Sequence, residues 1–124
     1  MIKESLRGKK IAITGSTGFL GTALVELLLR EIDDVQIRLL IRPSGKRSAE
    51  KRLERDILRN DAFDSLRNSL GNEDFDHLTN SQIKTLPADI SKDNLGLDDE
   101  GLLELSQCDV IIHSAAAVSF DEPL

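Results

Sequence analysis

The run Ile11-Ala12-Ile13-Thr14-Gly15-Ser16-Thr17-Gly18-Phe19-Leu20-Gly21 constrains this chain more than any other. Ile11 to Ile13 form a short apolar segment of the kind a parallel strand needs when both faces are covered. Gly15, Gly18 and Gly21 then recur at every third position. Gly15 lets the chain turn sharply off the strand, where a Cβ would clash. Gly18 lets backbone N–H groups come close to a bound pyrophosphate, and Gly21 lets the next helix pack tightly on the strand. A helix starting at Phe19 presents its unpaired N–H groups and positive dipole end to that anion. Leu20, Ala23, Leu24, Leu27 and Leu28 fall at i, i+3, i+4, i+7 and i+8, which predicts one apolar stripe on a helix from Phe19 to Glu31. A strand before and an amphipathic helix after are what distinguish a dinucleotide-binding turn from three spaced glycines.

The rest of the chain continues the alternation. Residues before Lys9 read as a polar lead-in, and the first strand runs from Lys10 to Thr14. Val35 to Ile41 is β-branched and leucine-rich and reads as a second strand, which Pro43 ends. Ser48 to Leu70 is helical and charged, with Leu53, Ile57, Leu58, Phe63, Leu66 and Leu70 as an intermittent apolar face, and Gly71 to Ser81 reads as a polar loop. The third strand is Gln82 to Leu86, with an extension across Pro87 towards Ile90 as the alternative. Asp98-Asp99 marks a helix start whose buried side is Leu102, Leu103 and Leu105, and Asp109 to His113 is the fourth strand. The fold class expected is α/β: a Rossmann-type doubly wound parallel sheet of strand order 3-2-1-4. It is incomplete, because the fourth strand is left as an apolar edge.

The end of the second strand selects the cofactor. An Asp or Glu placed there usually takes the ribose 2′-hydroxyl of NAD. Val35 to Pro43 contains no acid, and Arg42 stands near its end with Lys46 and Arg47 close behind. A guanidinium pairs with a 2′-phosphate in two-pronged fashion, whereas a carboxylate would repel it. The expectation is NADP(H), with Arg42 as the main contact and Ser44 or Arg47 as helpers. Asp89-Ile90 follows the third strand, where an acid accepts from the adenine amino group or serves as a turn residue; both readings stand. Ser114, Ala115 and Ala116 follow the fourth strand, at the reversal point of the winding, and are small enough for a ribose and phosphate to lie against the backbone. Close helix–sheet packing is the other reading of those alanines. His113 is a ligand contact or a satisfied strand-end histidine, Cys108 a small hydrophobe, and His77 has no assigned role.

Composition narrows the setting. A net charge of −6 and a pI near 4.9 argue against a nucleic-acid partner, and an apolar fraction of 40% argues against disorder. The single cysteine allows no internal disulfide, and the N-terminus has no apolar signal core. No apolar run approaches the ~20 residues of a membrane span. A cytoplasmic setting with no transmembrane segment is therefore expected.

Several blocks together resemble one family. Thr14-Gly15-Ser16-Thr17-Gly18-Phe19-Leu20-Gly21 is similar to its TGxTGFLG turn, and Leu39-Leu40-Ile41-Arg42-Pro43 to its LLxRP. Asn94-Leu95-Gly96-Leu97 resembles its NLGL, and Asp109 to Ala116 with Val118 to Leu124 its DVIIHxAA…VxFDEPL. These are blocks of the fatty acyl-CoA reductases, related to male-sterility NAD-binding domains and thioester reductase domains within the extended short-chain dehydrogenase/reductases. The resemblance runs from about Lys9 to Leu124. It implies NADPH-dependent reduction of an acyl-CoA or acyl-carrier thioester to an aldehyde or alcohol. It also implies that residues 1–124 are the N-terminal portion of the NADP-binding domain. The family's Tyr and Lys of a Y-x-x-x-K arrangement, which protonate the developing oxyanion and tune that proton, are not carried over, because the chain contains no Tyr. No catalytic residue or metal ligand is assigned within it. A noncatalytic NADP(H)-binding module, or a relative acting on a non-lipid substrate, is the alternative.

Overall fold

The β-branched and leucine-rich runs pair into one all-parallel sheet, seen in a computed structural model that describes residues 2–15, 18–89 and 91–113. Its strands are β1 (Lys10–Thr14), β2 (Gln36–Ile41), β3 (Ile83–Pro87) and β4 (Val110–His113), in the order β3-β2-β1-β4. The register sets Ile11 beside Ile37 and Val110, and Ile37 beside Ile83. Alternate residues therefore face alternate layers. The sheet order is the expected one. Among the described residues β4 pairs only with β1, and Ile111 on it is 59% exposed.

One face carries the main core. Ile11, Ile13, Ile37, Leu39, Ile41 and Ile83 point into it and meet the helices that follow β1 and β2. The first of these is α2 (Phe19–Glu31), with the predicted bounds; a short α1 (Ile2–Leu6) precedes β1 where a polar lead-in is expected, and its Leu6 packs against this core. The face α2 buries differs from the predicted stripe. Gly21, Thr22, Val25, Leu28 and Leu29 are buried, whereas Leu20, Ala23 and Leu27 are exposed. The small Gly21 and Thr22 set the helix close to the sheet, which rotates Val25 inward in place of Leu24.

The stretch from 48 to 70 is a chain of short helical pieces rather than one helix. α3 (Ala49–Arg52), capped by Ser48, runs into a π-helical segment, Leu53–Leu58. Asn60 then caps a 3-10 turn at Asp61–Phe63 before α4 (Asp64–Leu70). The predicted loop at 71–81 is instead α5 (Asn72–Gln82). Gly71, at φ 85°, separates it from α4, Glu73 and Asp74 favour its first turn, and Phe75 and Thr79, four apart, bury one side. Phe75 meets Phe63 edge-on with centroids 6.1 Å apart, and both rings are fully enclosed.

The opposite face holds a smaller cluster of Ala12, Leu40, Leu86, Ala88 and Leu97. It is covered by α6 (Asp99–Ser106), whose Asp98 cap accepts from the Gly101 N–H at 2.7 Å. Leu102 and Leu105 pack there with the half-buried Cys108, but Leu103 is 59% exposed, against expectation. Gly101 takes the buried position, because α6 lies close to Leu97. On the same face Glu104 gathers three cations from the strands' N-terminal halves. It lies 3.6 Å from Lys10 Nζ, 3.1 Å from Arg38 Nε and 3.1 Å from Lys84 Nζ.

Candidate functional site

Parallel pairing brings the C-terminal ends of β1, β2 and β3 side by side, so three loops leave the sheet at one edge. The loop after β1 is the glycine turn. Gly15 sits at φ 75°, a left-handed conformation that glycine adopts without strain, and its carbonyl accepts from the Gly18 N–H at 3.1 Å. Gly18 caps α2 with no side-chain hydrogen bond, and no acid lies in the first turn. The first N–H groups of this helix have no intrahelical acceptor, and the Gly18 cap offers no side chain to take its place. Phe19 and Leu20 are 84% and 76% exposed beside this opening. Gly21 is buried against the sheet, as the close-packing role requires. Ser16 and Thr17 lie outside the described residues.

The loop after β2 carries Arg42 and then a tight turn in which Ser44 and Arg47 exchange two backbone hydrogen bonds, at 3.0 and 2.8 Å. Arg52 of α3 braces it: Nη1 donates to the Arg42 carbonyl at 2.7 Å and Nε donates to Asp56 Oδ2 at 3.1 Å. Asp56 also lies 3.6 Å from Arg47 Nη1. One carboxylate thus holds a loop cation, Arg47, and the bracing Arg52 of α3. The Arg42 side chain makes no ion pair or hydrogen bond among the described residues, and faces a cavity.

The loop after β3 leaves beside it, with the Ala88 N–H donating to the Ile41 carbonyl at 3.1 Å. Asp89 Oδ1 accepts from the Ser91 Oγ at 2.6 Å and from the Ser91 N–H at 3.0 Å. Those two bonds, hydroxyl first, hold its carboxyl below the usual range, and Lys92 and Arg42 add to the effect. The chain then doubles back through Asn94, Leu95 and Gly96, at φ 53°, 59° and 65°, and the Leu95 carbonyl accepts from the Asp89 N–H at 2.7 Å. A Cβ on Gly96 would meet the Asp89 nitrogen at 3.1 Å. Asp89 is therefore a turn residue and a cavity residue at once.

A cavity of about 480 Å³ opens between the second and third loops, with Arg42 and Ser44 on one side and Asp89, Lys92 and Gly96 on the other. Of the two expected helpers Ser44 lines it, whereas Arg47 does not and is engaged with Asp56. Lys92 and Gly96 were not singled out as site residues from the sequence; the signal was their placement within seven residues after Asp89. At the end of β1, the Thr14 Oγ1 and the His113 Nδ1 are hydrogen-bonded at 2.6 Å, which gives His113 a partner within the fold. Ile90, Ser114, Ala115 and Ala116 lie outside the described residues.

The residues present fit a dinucleotide. A helix start capped by a glycine suits a pyrophosphate, a cavity with a guanidinium that makes no ion pair among the described residues suits an anionic group, and a turn-held carboxylate suits an amino group. Comparison with known proteins agrees. A family model described as male sterility protein, an NAD-binding type, matches residues 13–124. Fatty acyl-CoA reductase 1 of Arabidopsis thaliana is 43% identical over 122 residues, which is 96% of this chain and 25% of the relative. The reductase domain of a nonribosomal peptide synthetase from Mycobacterium tuberculosis superposes with a TM-score of 0.64 at 32% identity, covering 86% of this chain and 24% of that one. The PhqB reductase domain from Penicillium fellutanum gives a TM-score of 0.64 at 33% identity, over 93% and 29% of the two chains. The chain thus spans about a quarter of the length of the relatives it matches. With its glycine turn, its 3-2-1-4 parallel sheet and a match over nearly all its residues, the chain belongs to the male sterility family of NAD-binding domains.

Proposed function

We propose that this chain is the cofactor-binding part of an NADPH-dependent reductase of fatty acyl thioesters, carried by CoA or by a carrier protein. The observation that carries the cofactor half of this reading is Arg42: a cation with no ion pair among the described residues, just after β2, facing a cavity where an NAD-selecting protein would set an acid. The substrate half rests on the fatty acyl-CoA reductases among the relatives. When bound, NADPH would supply the hydride that, with one proton, converts a thioester into an aldehyde and a thiol. The chain's own residues would bind and orient. The N–H groups at the start of α2 would take the pyrophosphate, Arg42 the 2′-phosphate, and Asp89 the adenine amino group.

The test is binding of NADPH and NADH by fluorescence titration. The native protein should prefer NADPH, and Arg42→Glu should weaken NADPH ~30-fold or more while changing NADH less than ~3-fold, since a charge-assisted pair becomes a repulsion. Equal losses for both nucleotides would remove the reading.

The absence of Tyr favours a second reading for the 124 residues taken alone, that of a module binding NADP(H) without catalysis. A proton donor of the family's kind is not in this sequence. NADPH oxidation with a long-chain acyl-CoA should therefore show no turnover by these residues alone, and measurable turnover would mean that another group donates the proton.

A further inference from the structure

We propose that Lys92, on the loop after β3, is the second cation of the 2′-phosphate site and is required for NADP(H) selection. The proposal rests on the reading above and adds a residue to it.

Charge and geometry carry it. A phosphate monoester holds close to two negative charges at neutral pH. Arg42 and Asp89 line the same cavity, so those two side chains together bring no net charge to an added dianion. Lys92 lines that cavity and restores one net positive charge. Among the described residues no other lysine lines it. Arg47 and Arg52 are committed to Asp56. Lys92 makes no ion pair among the described residues.

The backbone fixes Lys92 in place. Its N–H donates to the Asp89 carbonyl at 3.0 Å, and its carbonyl accepts from the Leu95 N–H at 3.1 Å. The left-handed run at Asn94–Gly96 returns the chain to Asp89, so the loop is a closed unit anchored beside β2. A lysine suits this side of the cavity, where a point charge on a flexible stem meets a phosphate already oriented by a planar guanidinium.

The experiment titrates the intact protein calorimetrically with adenosine 2′,5′-bisphosphate and with 5′-AMP, which differ only in the 2′-phosphate. The native protein should prefer the bisphosphate. Lys92→Ala should cut the bisphosphate affinity about tenfold and leave 5′-AMP unchanged, and Lys92→Arg should restore most of it. If Lys92→Ala keeps the full preference while Arg42→Ala loses it, the role of Lys92 is overturned and the NADP(H) reading survives. If Lys92→Ala weakens both ligands equally, the residue acts on the fold or the general potential and the proposal fails. A native protein with no preference overturns the reading itself.

Discussion

The two ends of the sheet treat positive charge in opposite ways. In the N-terminal halves of the strands, Lys10, Arg38 and Lys84 converge on one carboxylate, and the Arg38 side chain is only 12% exposed. At the C-terminal ends, Arg42 and Lys92 line a cavity together with Asp89, and neither makes an ion pair among the described residues. The first arrangement satisfies its charges within the fold, and what it contributes is stability. The second leaves charge unsatisfied, and its loops are held by backbone contacts and by side chains other than the cavity's own cations. The difference separates cations held within the fold from cations that line a cavity. It also predicts that substitutions at the two ends should fail in different assays.

The largest effect should come where the open end is most constrained. Gly96 has φ 65°, and a Cβ there would meet Asp89 backbone atoms at 3.1 and 3.4 Å. Gly96→Val adds a β-branched side chain in a left-handed conformation and pushes on the residue that closes the loop. A loss of ~2–4 kcal/mol in urea denaturation is expected, together with weaker nucleotide binding. Asn94 and Leu95 are already left-handed non-glycines, so the loop has little room to relax. Full stability with normal binding would mean the turn is softer than its geometry indicates.

The sheet order and the glycine turn were legible because each rests on local pattern. Apolar β-branched runs mark strands, and a strand–glycine–helix sequence has few other solutions. Where local pattern is weak, the reading failed. α5 was taken for a loop because Phe75, Leu78 and Thr79 are its few apolar or packable residues among Asn, Glu, Asp and Ser. Its helix is decided by Phe75 inserting against Phe63, a contact no periodicity displays. The buried side of α2 was misassigned by one position, because small residues rather than leucines define the line of closest approach. Lys92 escaped notice for a related reason. Its place in the cavity depends on three successive left-handed residues, and of these only Gly96 announces itself in sequence. Arg42 was legible because its position relative to the second strand is read directly off the chain.

A smaller effect tests the closed end. Glu104→Gln removes the one carboxylate that, among the described residues, lies within ion-pair distance of Lys84 and Arg38, and leaves the largely buried guanidinium of Arg38 beside a neutral amide. The expected cost is about 1–2 kcal/mol, with nucleotide affinity unchanged within about twofold. Acid pH should show the same interaction in the native protein. The hydrogen bond from Lys84, then that from Arg38, hold the Glu104 pKa down to about 2, well below the ordinary glutamate value of 4.5. A carboxylate with a depressed folded pKa contributes stability that is fully present above its unfolded pKa and is lost as pH falls through the folded one. The Glu104 contribution should therefore be complete above pH 4.5 and shrink steadily towards pH 2. The other carboxylates titrate in both proteins and cancel in the difference. The gap in unfolding free energy between the native protein and Glu104→Gln should narrow as the pH is lowered from neutrality into this range, and Lys84→Met should lessen the narrowing. A gap that stays constant into this range would mean that the amide loses packing rather than charge, and the contrast between the two ends of the sheet would then rest on the ligand end alone.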